Sequence, residues 1–350
     1  MKLVAAIAVH VPAEEILREL KFFERIRKAF GGKPDLSTGR VRASIEATAI
    51  VEATRDALRS LGVANAVSLM IDDTVLFHDR DSKDDDLGDL LTAFHDNESV
   101  FGQGFRELRL AVEHREAGLH LVVEIAARSE HAKTAPSVRI LVSGRIAALT
   151  PLPSETAEAY RARAEPFVKD ASALTVHQMQ FTAFVERLRD ATGAALPIAR
   201  VEVEATETRI VRPSDKPAEA ATNDRSSRAY DPYDYYYPGY HGGFLVDALI
   251  WSAIFSHSFH PHYVVVDGAN HFQGHADDPG IESGPTADAS DASSHWNDAD
   301  ATDSQHGASS STDDSSSNDS TDSTDSSTGD DGGGDWGGGD DGGGFDFNLD

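Results

Sequence analysis

The chain has no cysteine and only three methionines and three tryptophans in 350 residues. Without cysteine there is no disulfide, no thiolate ligand for zinc or an iron–sulfur cluster, and no thiol nucleophile. No apolar run reaches the roughly 20 residues that a helix needs to cross a bilayer, so no transmembrane span is expected. Basic charge is missing from a third of the molecule. All 31 Lys and Arg residues lie at or before Arg228. Of the 59 acidic residues, 35 accompany them and 24 follow, so the first part carries −4 and the remainder −24 of the total −28. With no basic stripe, a phosphate backbone has nothing on which to release its counterions, and nucleic acid is not expected as a partner. An anionic membrane would repel the acidic part, whereas a basic protein partner suits it.

The first segment is a short apolar run, Leu3 to Val9, behind Lys2. Its length is at the lower limit for a secretory h-region, and it leads directly into a helical pattern, so it reads as a first β-strand in a cytoplasmic protein. Pro12, Glu14 and Glu15 then suit the start of a helix, and Ile16, Leu17, Leu20, Phe23 and Ile26 follow at helical spacing up to Gly31-Gly32. A second helix is expected from Ala43 to Leu61, with Ile45, Ile50, Val51 and Leu58 as its buried stripe and Gly62 as its stop.

Extended stretches are predicted at 67–71 and 74–78, then at 108–114, 119–126 and 138–146. Ala117-Gly118 and residues 132–136 serve as turns between the last three, which favours an antiparallel meander. Helices at 155–171 and 176–191 and a strand at 200–211 complete the pattern. The fold class is therefore α+β, a mainly antiparallel sheet with helices packed on one side, followed by a long disordered acidic tail. The order of elements is similar to that of helix-grip ligand-binding folds, an architectural likeness that carries no site residue.

This reading divides the chain into a globular domain over 1–212, a polar linker over 213–229, a Tyr- and His-rich segment over 230–285, and an Asp/Ser/Gly-rich tail over 286–350. The tail has too few aliphatic side chains to offset the entropy of ordering. Within 230–285, residues 244–255 form a short apolar helix, roughly 18 Å long at 1.5 Å per residue and too short to span a bilayer. It is expected to dock on the body or to self-associate with a second copy. The alternatives are docking of a partner and peripheral membrane attachment.

Strong catalytic signatures are absent: no phosphate loop, no G-x-S-x-G, no H-E-x-x-H, no dinucleotide fingerprint. The aspartates from Asp79 to Asp89 fail as an EF-hand loop, because Lys83, Asp84 and Leu90 stand at its fifth, sixth and twelfth positions. A solvated, helix-capping loop is the better reading. Histidine is the one exception. Six of the 15 lie between 241 and 275. His257, His260 and His262 are close enough for two or three to share a divalent transition metal such as Zn²⁺, Ni²⁺ or Cu²⁺, although Pro261 interrupts regular structure between them. No resident cofactor is otherwise expected.

At the C-terminus, Trp336, Phe345 and Phe347 stand among aspartates on a glycine chain. In composition this resembles the glycine-rich tail with an acidic aromatic tip by which bacterial single-stranded-DNA-binding proteins recruit partners. The likeness implies an extended peptide whose three rings anchor on an apolar pocket beside basic charge. The expected function is that of a non-enzymatic interaction or assembly protein with an acidic, aromatic-tipped docking tail. The alternatives are a metal-binding or metal-dependent protein using His257, His260 and His262, and the peripheral membrane protein using 244–255.

Overall fold

The computed structural model describes residues 1–12, 39–79, 104–129, 135–152, 154–213, 222–238, 243–256 and 263–282. The expected helix at 14–26 and the tail from 286 lie outside them. In chain order the described elements are β1 (Lys2–His10), α1 (Gly39–Ser60), β2 (Asn65–Ile71), β3 (Thr74–His78), β4 (Glu107–Glu116), β5 (Leu119–Arg128), β6 (Val138–Ile146), α2 (Ala157–Lys169), α3 (Ala171–Ala195), β7 (Arg200–Val211), α4 (Pro232–Tyr236), α5 (Gly243–Phe255), β8 (Val264–Val266) and β9 (Phe272–His275).

The nine strands form one sheet in the order β3-β2-β4-β5-β6-β1-β7-β8-β9. The β7–β8 pair alone is parallel; every other neighbouring pair is antiparallel. The predicted meander is present as β4, β5 and β6. Ala117 (φ 51°) and Gly118 (φ 78°) form the two-residue turn between β4 and β5, and Asp72 (φ 46°) and Asp73 (φ 66°) form that between β2 and β3. Positive φ at both central residues matches the twist of a tight hairpin, and glycine and aspartate tolerate it best. At Gly118 a side chain is also sterically barred, since a Cβ would sit 2.8 Å from the His177 ring.

Alternation in the strands sends two sets of side chains to opposite faces. Leu3, Ile7 and Val9 of β1, Leu121, Val123 and Ile125 of β5, and Ile140 and Val142 of β6 share the large core with all four long helices. From α1 come Ile50, Val51 and Leu58, as the helical stripe predicts, while the side chain of Ile45 is outside the described set. Phe181, Phe184, Val185 and Leu188 come from α3. Helix starts are capped where propensity places the caps: Thr156 Oγ1 accepts from the Ala159 N–H at 3.2 Å, and Asp170 Oδ1 from the Ser172 N–H at 3.0 Å.

Two expectations need correction. The stretch read as a linker over 213–229 runs, where described, against the body. Arg225 pairs with Asp73 at 2.8 Å, Arg228 pairs with Glu207 at 2.6 Å, and Ala229 is buried. Polar composition suggested a solvated connection, yet these arginines reach carboxylates on the folded sheet. Likewise, the Tyr- and His-rich segment is not an appendage to a 1–212 domain, because it supplies two strands to the same sheet.

The apolar helix α5 docks on the body as expected. Leu245, Val246, Leu249, Ile250, Trp251 and Ile254 are all buried in the main core, and Ser252 is the exposed residue on its outer side. Phe255, at its C-terminal end, is half-buried, and the side chain of Phe244 is outside the described set. No helix among the described residues is long and apolar enough to cross a membrane.

Candidate functional site

The sheet face opposite the long helices carries charge. Lys2, Arg109, Glu113, His120, Glu124, Arg145 and Arg209 stand on this face, and all are buried. What buries most of them is a strap over residues 222–238, in which Asp231 caps α4 by accepting the Tyr233 N–H at 3.0 Å. Tyr233 and Tyr236 pack on Val67, Ala111 and Val122 beneath.

Beneath the strap each charge has partners. The Arg145 guanidinium donates to Asp231 at 2.7 Å, Asp234 at 2.8 Å and Ser143 at 3.0 Å, and lies 4.5 Å from the centre of the Tyr233 ring. The Lys2 Nζ donates to Asp234 and Asn270, each at 2.6 Å, tying β1 to the strap and to the β8–β9 turn. His120 stands between two groups, with Nδ1 2.7 Å from the Tyr233 hydroxyl and Nε2 3.0 Å from Glu113. Glu113 also accepts from Asn65 Nδ2 at 2.9 Å and from the Tyr237 hydroxyl. Burial alone would raise the Glu113 carboxyl, but hydrogen bonds from His120, Tyr237 and Asn65 outweigh it and hold it down at about 2. Glu124 accepts from Tyr230 at 2.7 Å and Tyr236 at 2.8 Å, yet burial dominates and pushes it up to about 7.

A tyrosine, a histidine and a carboxylate in hydrogen-bonded series can pass a proton along the series. Here Tyr233 is 0 %, His120 1 % and Glu113 6 % exposed. With the strap closed, a substrate cannot touch them, and the network acts as the polar core that fixes the strap on the sheet.

Polar chemistry opens outward at the β2–β3 turn, in a cavity of about 300 Å³ beside Met70. Three arginines line it, Arg106, Arg109 and Arg128, together with three carboxylates, Asp72, Asp73 and Glu107. The carboxylates have work inside the fold. Asp72 Oδ1 accepts the backbone N–H groups of Arg106 at 2.8 Å and Glu107 at 2.9 Å. Glu107 pairs with Arg109 and, at 2.8 Å, with Arg128, and Asp73 pairs with Arg225. Arg109 is buried, and among the described residues its Nε and Nη1 have no hydrogen-bond partner.

The residues singled out in the sequence fall elsewhere. His257, His260 and His262 lie outside the described residues, in the connection from α5 to β8, and Trp336, Phe345 and Phe347 lie outside them in the tail. Of the neighbouring histidines, His271 faces Asp267 with Nδ1 to Oδ2 at 3.2 Å, and His275 ends β9, so the segment is extended and not helical. Among the described residues no three His, Asp or Glu side chains converge as a metal site. Both the strap network and the Arg109 cavity escaped the sequence reading. Their one visible signal was charge on alternate positions of the apolar strands β4, β5 and β6, which also fits a solvated face.

Comparison with protein-family models, curated proteins and solved structures finds no match to this chain.

Proposed function

We propose that the protein is a non-enzymatic interaction or assembly protein that docks a basic partner through its acidic, aromatic-tipped C-terminal segment. The observation that carries this reading is the segregation of charge. All 31 basic residues precede residue 229, and 24 acidic residues follow with no base among them. The described body pairs much of its own charge internally and buries the apolar helix α5, so the segment beyond it holds the chain's unbalanced charge. Trp336, Phe345 and Phe347 add anchors that charge alone does not supply, since burying one such ring is worth roughly 1.5 to 3 kcal/mol.

Quantitative pull-down from cell extract tests it with three chains: the native one, one with Trp336, Phe345 and Phe347 changed to Ser, and one lacking 286–350. The native chain should enrich basic proteins, and the Ser chain, at identical charge, should lose most of that enrichment. Equal capture by native and Ser chains would leave charge as the only agent, and equal capture by all three would remove the tail from the function.

A second reading is metal binding by His257, His260 and His262. It is favoured by their position in a short connection whose two ends, α5 and β8, are held in the packed body. Elemental analysis of untagged protein should then give about one Zn²⁺, Ni²⁺ or Cu²⁺ per chain, lost when His260 and His262 become Ala.

A further inference from the structure

Buried guanidinium groups normally have their donors satisfied, because an unmet buried donor forfeits its hydration without a replacement. Arg109 breaks this rule twice over. It is the only described residue with two buried side-chain atoms that lack a hydrogen-bond partner, Nε and Nη1. Its nearest further carboxylate, Asp73, lies 3.8 Å from Nη1, beyond hydrogen-bonding range. The residue lines the 300 Å³ cavity, where Arg106 presents an exposed guanidinium that makes no ion pair among the described residues. We propose that this cavity is a binding site for a small organic carboxylate, whose oxygens accept from Arg109 and Arg106.

The charge count selects the class of ligand. Three guanidinium groups, those of Arg106, Arg109 and Arg128, line the cavity with three carboxylates, those of Asp72, Asp73 and Glu107, and Arg225, outside the lining, pairs with Asp73. One unit of positive charge is left over, which a carboxylate neutralises. A phosphate dianion would bring a second negative charge up against three carboxylates at close range. The site is independent of the acidic tail and of the histidine connection, so its fate does not bear on the function proposed above.

The test uses the full chain labelled with ¹⁵N and titrated with sodium acetate, inorganic phosphate or sodium chloride at matched ionic strength. Acetate should give saturable shifts in the amide signals of Asp72, Asp73, Arg106, Glu107 and Arg109, and chloride should not. Arg109→Met should weaken acetate binding roughly tenfold or more, since it removes charge-assisted donors. The melting temperature should fall only modestly, because the unmet donors are removed and Glu107, which loses Arg109, keeps Arg128 as its partner. Arg106→Ser, a change at an exposed position, should weaken binding several-fold in a chain that stays folded even where the Met variant does not. Identical shifts with chloride, or unchanged acetate binding in the Ser variant, would overturn the site. Tighter binding of phosphate than of acetate at these amides would overturn the carboxylate class.

Discussion

Glu124 and Glu113 lie on adjacent strands of one sheet face and are both buried, yet their surroundings move them in opposite directions. Glu124 titrates at about 7 when folded against 4.5 for an unperturbed glutamate. Between those values the folded chain holds a proton that the unfolded chain lacks, so the stability tied to this group is present below about 4.5 and is lost as pH rises through 7. Glu113, held at about 2, contributes stability that is present above 4.5 and lost as pH falls towards 2. Glu124→Gln should therefore flatten the decline between pH 4.5 and 8 and exceed the native chain at pH 8 by on the order of 3 kcal/mol at most. Urea unfolding across that range is the measurement, and a native slope in the Gln chain would contradict the assignment. Tyr233→Phe keeps the ring on Val122 but takes a partner from His120 Nδ1, and should destabilise by about 1 to 3 kcal/mol at all pH values.

At the scale of elements, the strap depends on Asp234, which binds both Lys2 and Arg145 with about nine-tenths of each side chain out of water. Changing it to Ala leaves two buried cations short of a partner, and breaking such a pair typically costs about 3 to 5 kcal/mol. Loss of that size should appear in urea unfolding together with exposure of the strap tyrosines in fluorescence. Local pattern made β4 to β7 and the tight turn between β4 and β5 legible, because period-two alternation and Ala117-Gly118 act over a few residues. The strap was not legible, because Tyr230 meets Glu124 and Tyr237 meets Glu113 across more than a hundred residues. His120 and Glu124 alternate with apolar neighbours in β5 just as residues facing water do. Arg109 had the same disguise. The histidines and tail aromatics, visible as composition, were legible only as candidates.

For the whole molecule, the placement of β8, β9, the strap and α5 sets where the folded unit ends. A chain stopped at residue 212 lacks the partners of Arg145, Lys2 and Glu124 and the cover of α5, and should be unfolded or aggregated. A chain stopped at 282 should melt at the native temperature, as circular dichroism would register. The same topology fixes an order of events on the ribosome. β1, apolar along most of its length, is synthesised before both its neighbours but occupies the interior of the sheet between β6 and β7, with Leu3 opposite Gly144 on one side and Thr208 on the other. At roughly 5 to 20 residues per second, its first neighbour is made only about 7 to 27 seconds after it and its second later still. Throughout that interval the nascent chain carries an adhesive strand with two open edges. Until β6 and β7 arrive, those edges are open to pairing with another chain.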